Sequence, residues 1–184
     1  GGAARGAILP LLERKPYLLA LANRTKEKAQ VLQKQFSSHG NILSGHYQDF
    51  AGKNFDIVIN ATSASLHGEL PFLPTGIFNK ASLAYDMMYG KELTPFLKFA
   101  RQQGVDNLID GVGMLVEQAA ESFFIWRGIR PETRRIIEIL KPKVLHPLSS
   151  EYQSLNLYCT HDLITHEIHG KITQTLAMAA VAAR

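Results

Sequence analysis

The sequence predicts an α/β protein with a Rossmann-like parallel sheet and flanking helices, incomplete because its first, central strand is missing. Three observations carry this. Apolar segments of strand length recur at 17–22, 55–62 and 82–89, and amphipathic stretches of helix length separate them. The connections are short, as in βαβ units. The run "YLLALA" at 17–22 is continuously apolar, the pattern of a strand covered on both faces.

The elements follow in order. Residues 3–14 read as a helix that begins in glycines, with Ala7, Ile8, Leu11 and Leu12 on one face and an awkward Pro10 inside it. Pro16 marks the break before the strand at 17–22. Thr25 is placed to cap a helix running to about Ser38, with Ala29, Leu32 and Phe36 inward and Gly40 at its end. "NILSG" at 41–45 is a short strand candidate, and "FDIVINAT" at 55–62 a stronger one. Residues 63–80 carry Gly68, Pro71, Pro74 and Gly76 and read mostly as loop. "SLAYDMMY" at 82–89 is the next strand, followed by a helix over 92–103 that stops at Gly104. "NLID" at 107–110 is short and extended. Asp110 can cap a helix over 111–127, whose expected buried stripe is Val112, Leu115, Val116, Ala119, Ala120 and Phe123. Pro131 stands near the start of a last helix, which ends before Pro142. Residues 1–143 form the expected domain and 144–184 a tail outside the sheet.

Composition bounds the function. The chain has 184 residues, 46% hydrophobic and 20% charged, enough for one domain with its own core. No stretch approaches the roughly 20 apolar residues of a membrane helix. Cys159 is the only cysteine, so an internal disulfide is impossible and a reducing, cytoplasmic setting is expected. The net charge of +4 fits ordinary surface composition or an anionic ligand. Neither nucleic acid nor membrane is expected as a partner.

Two stretches point to a nucleotide. "GGAARG" at 1–6 fits the end of a glycine-rich loop entering a helix, where bare backbone and free N–H groups approach a pyrophosphate. About 20 residues later such folds carry Asp or Glu against the adenosine ribose. Here that place holds "NRTKEK" at 23–28. A carboxylate at the strand end would repel a 2′-phosphate, whereas the guanidinium of Arg24, the hydroxyl of Thr25 and the ammonium of Lys28 would bind it. The residue types favour NADP over NAD.

"INATSAS" (59–65), "YDMMYG" (85–90) and "DGVGMLVEQAA" (110–120) join these two motifs in one order. With them, residues 1–143 resemble the C-terminal NADP-binding part of the shikimate dehydrogenase family. The resemblance implies reduction of 3-dehydroshikimate to shikimate by NADPH, in the chorismate route to aromatic amino acids. It implies cofactor contacts at Gly1, Gly2 and Ala3 of the pyrophosphate loop and at Asn23, Arg24, Thr25 and Lys28 of the adenosine-phosphate clamp. It adds Thr62 and Ser63 over the cofactor, Met87 near the nicotinamide, and Gly111 and Met114. Tyr89 and Gln118 become substrate contacts. Gly111, Met114 and Gln118 are spaced three and four apart and so share a helix face. Glu117 stands where a small residue is usual, and is read as solvent-facing.

In that family a separate N-terminal domain carries the lysine and aspartate at the reacting hydroxyl, and the motifs of this chain include no counterpart. The expectation is a fragment that is inactive by itself, without catalytic residues of its own. It would partner a substrate domain, with a homodimer also compatible. Two other readings are a quinate-using relative, against which Arg24 speaks, and a non-catalytic NADP-binding module. A glutamyl-tRNA reductase nucleotide domain shares the "NRT"-like turn but not "YDMMY" or "GMLVEQ". In the tail, His161, His166 and His169 are read as solvated histidines rather than a zinc site, because His161 would point away from the other two on a helix.

Overall fold

A computed structural model of the chain describes residues 2–62, 64, 70 and 72–140. The expected tail at 144–184, with its three histidines, lies outside these residues, as do Gly1 and Ser63.

The chain runs α1 (Gly2–Glu13), β1 (Leu19–Ala22), α2 (Lys26–Phe36), β2 (Ile42–Gly45), β3 (Phe55–Asn60), β4 (Phe78–Asp86), α3 (Pro95–Gln102), β5 (Asn107–Ile109), α4 (Val112–Arg127) and α5 (Arg134–Leu140). Every strand pairing among the described residues is parallel. Among the described residues the strands form two ladders rather than one sheet. β1 pairs with β2 from Leu19↔Ile42 to Ala22↔Gly45, and β3–β4–β5 form the second ladder. The expected interruption of the sheet therefore falls between β1 and β3.

Helix α1 joins the two halves. Ile8 and Leu12 pack with Ile42, Leu19, Leu21, Leu32 and Phe36 on the first ladder. Ala7 and Leu11, one position back on the same helix, pack with Tyr85, Met87, Ile59 and Ile109 on the second. Such adjacent pairs on one broad apolar face let a single helix cover two surfaces. Pro10 sits within α1 and does not end it; it removes one backbone donor. The helix closes through Lys15, which adopts φ 55°, just before Pro16. A third cluster lies away from α1, where Phe96, Leu97 and Ala100 of α3 cover Phe78 and Ala84 of β4 together with Val105.

Several boundaries differ from expectation for identifiable reasons. β1 begins at Leu19, because Tyr17 is 93% exposed and its carbonyl accepts from Asn41 Nδ2 instead of a ladder partner. β3 stops at Asn60, whose side chain captures the next turn. β4 begins at Phe78, four residues early: Ser82 Oγ accepts from Asn79 N and donates to the Phe55 carbonyl, stabilising an irregularity between Phe55↔Phe78 and Ile57↔Leu83. α3 starts at Pro95, not Glu92, since Thr94 caps it by accepting from Leu97 N at 3.3 Å and proline suits the first helical position. Thr25 occupies the cap position of α2, but its side chain makes no cap hydrogen bond there.

The buried stripe of α4 is Val112, Gly113, Val116, Glu117 and Ala120. Leu115, Ala119 and Phe123, expected inside, are exposed. Glu117 corrects the sequence reading most clearly: it is buried at 6%, not solvent-facing. Its Oε2 accepts from Arg130 Nη2 at 2.8 Å and its Oε1 from Thr133 Oγ1 at 2.6 Å. Arg130 also pairs with Glu121. A buried carboxylate needs such partners. These bonds tie the α4–α5 connection back onto α4.

Candidate functional site

Ligands of open α/β sheets bind beyond the carboxyl ends of the strands. Four of the segments singled out in the sequence follow such an end. Asn23 follows β1, Thr62 follows β3, Met87 to Tyr89 follow β4, and Gly111 follows β5.

At the end of β1 the polypeptide turns on Asn23, whose Oδ1 accepts from Thr25 N at 2.9 Å, and whose own N donates to the Gly45 carbonyl at 3.2 Å. This leaves Arg24, Thr25 and Lys28 exposed on one turn. The strand end carries no carboxylate, as read from the sequence. The segment after β2 flanks this turn. Asp49 accepts from Lys26 Nζ and from His46 N, both at 3.0 Å. The Lys26 contact, followed by the His46 backbone donor, holds the Asp49 carboxyl below its ordinary range, so this acid is already matched to a lysine. Tyr47 lies beside Arg24; burial pushes its phenol up against the opposing pull of the Arg24 charge. Sequence reading missed Lys26, Tyr47 and Asp49, because their arrangement depends on the β1–β2 register.

At the other ladder, Met87 is buried against Ala7 and Tyr85, with Met114 packed on the same cluster. Both methionines are thus partly core side chains. Tyr89 is 46% exposed past the end of β4. Gln118 is half-buried one turn beyond Met114 on α4. Gly111 is held by close packing: a Cβ there would lie 2.1 Å from the Met87 carbonyl oxygen. Gly111 N donates to the Met88 carbonyl at 3.0 Å. Only glycine lets the start of α4 reach the backbone after β4. Gly2 and Ala3 are exposed in the first turn of α1, one turn before Ala7, and no acidic residue lies in that turn. The helix N-terminus therefore offers backbone donors at the same edge of the second ladder.

Buried polar groups connect these loops. Asn60 Oδ1 accepts from Thr62 N at 3.1 Å and Thr62 Oγ1 at 2.8 Å. Asn60 Nδ2 donates to Asp86 Oδ1 at 3.0 Å, which also accepts from Met88 N at 3.0 Å. Asp86 Oδ2 accepts from Thr94 Oγ1 at 2.6 Å. Asn60, Asp86 and Thr94 are all buried. None of the three was singled out as a site residue from sequence.

This geometry has known relatives. The Shikimate 5'-dehydrogenase C-terminal domain family matches residues 111–141, spanning α4 and α5. "Shikimate dehydrogenase (NADP(+))" of Nitrosospira multiformis is 65% identical over 147 residues, 80% of this chain and 54% of that protein. The enzyme of the same name from Nitrosomonas eutropha is 62% identical over 144 residues, 78% of this chain and 52% of that one. Over about four fifths of its length the chain is similar to the shikimate dehydrogenases. It spans about half the length of the curated relatives it matches. Among solved structures, an Ael1 enzyme from Pseudomonas putida superposes with TM-score 0.69 at 52% identity, covering 76% of this chain and 51% of that one. Shikimate dehydrogenase from Aquifex aeolicus gives 0.57 at 29%, covering 76% and 49%. The parallel α/β architecture expected from sequence is shared with these solved structures. No described helix is long and apolar enough to cross a membrane.

Proposed function

We propose that this chain is the NADP-holding half of a shikimate dehydrogenase that interconverts 3-dehydroshikimate and shikimate in the cytoplasm. The observation that carries this is the exposed Arg24–Thr25–Lys28 turn at the carboxyl end of β1, with no acid at the strand end and Asp49 occupied by Lys26. A 2′-phosphate fits that donor set, and the relatives are named for NADP(+). When bound, NADPH supplies the hydride.

The chain's own residues bind and orient. The first turn of α1, with Gly2 and Ala3, takes the pyrophosphate on backbone N–H groups, together with Gly1 before it in the sequence. Asn23 shapes the adenosine turn, while Arg24, Thr25 and Lys28 grip the phosphate. Thr62 and Ser63 close over the cofactor, and Met87, Gly111 and Met114 form the wall at its nicotinamide end. Tyr89 and Gln118 reach toward the substrate carboxylate and hydroxyls, with the hydroxyl and the amide suited to those groups. The reacting proton is assigned to a domain partnering this one. The lone cysteine in the sequence agrees with a reducing compartment.

The reading is tested by thermal unfolding of the 184-residue chain with added nucleotide. A ligand at a hundred times its Kd stabilises the folded state by about 2.7 kcal/mol. NADP is expected to raise Tm at concentrations where NAD does not. An equal or larger shift with NAD would remove the basis for the reading.

A further inference from the structure

Asp86 is fully buried at the end of β4. It accepts from Asn60 Nδ2, Met88 N and Thr94 Oγ1, three donors from three segments. Asn60 in turn fixes Thr62 through both its N–H and its hydroxyl. On the other side, Met88 accepts from Gly111 N, and Met87 N donates to the Asn60 carbonyl at 3.0 Å. A continuous line of hydrogen bonds thus runs from Thr62 through Asn60, Asp86 and Met88 to Gly111. The bonds named link the loops after β3, β4 and β5, and none of them reaches the turn after β1.

Building on the nucleotide site proposed above, we infer that Asp86 is a positioning residue for the nicotinamide end of that site. Its carboxylate holds Thr62, the Met87–Tyr89 segment and Gly111 in one fixed mutual arrangement. A buried acceptor with three donors is costly to disrupt, because each donor left behind loses its partner away from water. Networks of this kind orient the residues that touch a ligand without touching it themselves. The carboxylate's third donor, Thr94, caps α3. Anchoring a helix and aiming loops are therefore separable: Thr94 carries the first, while Asn60 and Met88 carry the second.

The test compares two probes on the full 184-residue chain by calorimetric titration. The nucleotide 2′,5′-ADP reaches only the adenosine end, whereas NADP also reaches the loops that Asp86 holds. Asp86→Ala is expected to weaken NADP about tenfold, the loss of one hydrogen-bonded contact, and to leave 2′,5′-ADP unchanged. Asn60→Ala breaks the same line at its next member and should do likewise; it carries the test if Asp86→Ala does not fold. Asp86→Asn keeps an oxygen for Asn60 and Met88 and offers its amide to the Thr94 hydroxyl, which can accept, so NADP affinity should stay within about twofold of wild type. Thr94→Val should lower the unfolding midpoint without changing the NADP Kd. Equal losses for both probes, or unchanged NADP binding in Asp86→Ala, would overturn the positioning role. So would unfolding of both alanine variants, since the pair would then be a requirement of folding. Failure of the nucleotide reading looks different: wild type would not bind 2′,5′-ADP, or Arg24→Ala would leave that binding intact. The role of Asp86 would fall with it.

Discussion

Replacing Arg24 by alanine is expected to lower NADP affinity by roughly ten- to a hundredfold, the range for hydrogen bonds to a charged group, and to leave NAD affinity nearly unchanged. Arg24 is exposed at the end of β1, so its substitution disturbs no core contact. The lower part of that range applies if Lys28 keeps part of the attraction, because an exposed pair is weakened by solvent. Raising the salt concentration should reduce the same difference, since screening acts on accessible charges. The measurement is a pair of titrations, NADP and NAD, on wild type and Arg24→Ala. Parallel losses for both nucleotides would assign Arg24 to folding or to the pyrophosphate rather than to the 2′-phosphate.

The second large effect concerns Gly111. Its substitution by alanine places a methyl 2.1 Å from the Met87 carbonyl oxygen and 2.7 Å from the Met87 carbonyl carbon. Neither atom belongs to a flexible side chain, so the start of α4 or the segment after β4 must move. Overpacking of this kind costs about 3 kcal/mol. The displaced segment carries Met87 and Tyr89, so nucleotide binding should weaken along with stability. Gly128→Ala is a useful contrast. That position has φ 70° but nothing within 4 Å of an added Cβ, which leaves only a conformational cost of about 1 kcal/mol. Urea unfolding of the two variants should therefore separate by about 2 kcal/mol, Gly111→Ala being the less stable. Equal midpoints would show that the Met87–Gly111 contact is not tight in solution.

What the sequence reveals and what it hides follow one physical division. The basic turn is legible because an exposed residue's chemistry is local: Arg24, Thr25 and Lys28 fall within residues 24–28, and all three are exposed. Strand β1 is legible from an unbroken apolar run, and helix α1 from the spacing of Ala7, Ile8, Leu11 and Leu12 on one face. Glu117 is not, because a carboxylate on a helix reads as surface until its partners are known, and those lie 13 and 16 residues further on, at Arg130 and Thr133. The early start of β4 is hidden in the same way. Asn79 and Lys80 read as loop, and only Ser82 reaching across to Phe55 makes the irregular pairing stable. Asp86 lies inside "YDMMYG", where the methionine and the tyrosine carry the resemblance. Its role emerges once β3, β4 and α3 are packed and Asn60, Met88 and Thr94 converge on one buried carboxylate. Local chemistry can be read along the chain; burial of polar groups depends on topology.

The central claim is that one nucleotide spans the two ladders, its 2′-phosphate at the turn after β1 and its nicotinamide end at the loops after β3, β4 and β5. Backbone amide NMR spectra of the isotopically labelled chain, titrated in parallel with NADP and NAD, test it most directly. With NADP, shifts are expected at Asn23–Lys28, at Thr62, and at Met87 and Gly111–Met114. The difference between the two nucleotides should be confined to the Asn23–Lys28 turn and the adjoining His46–Tyr47 segment. Identical shift patterns for NADP and NAD, or an Asn23–Lys28 turn that does not respond to NADP, would contradict it.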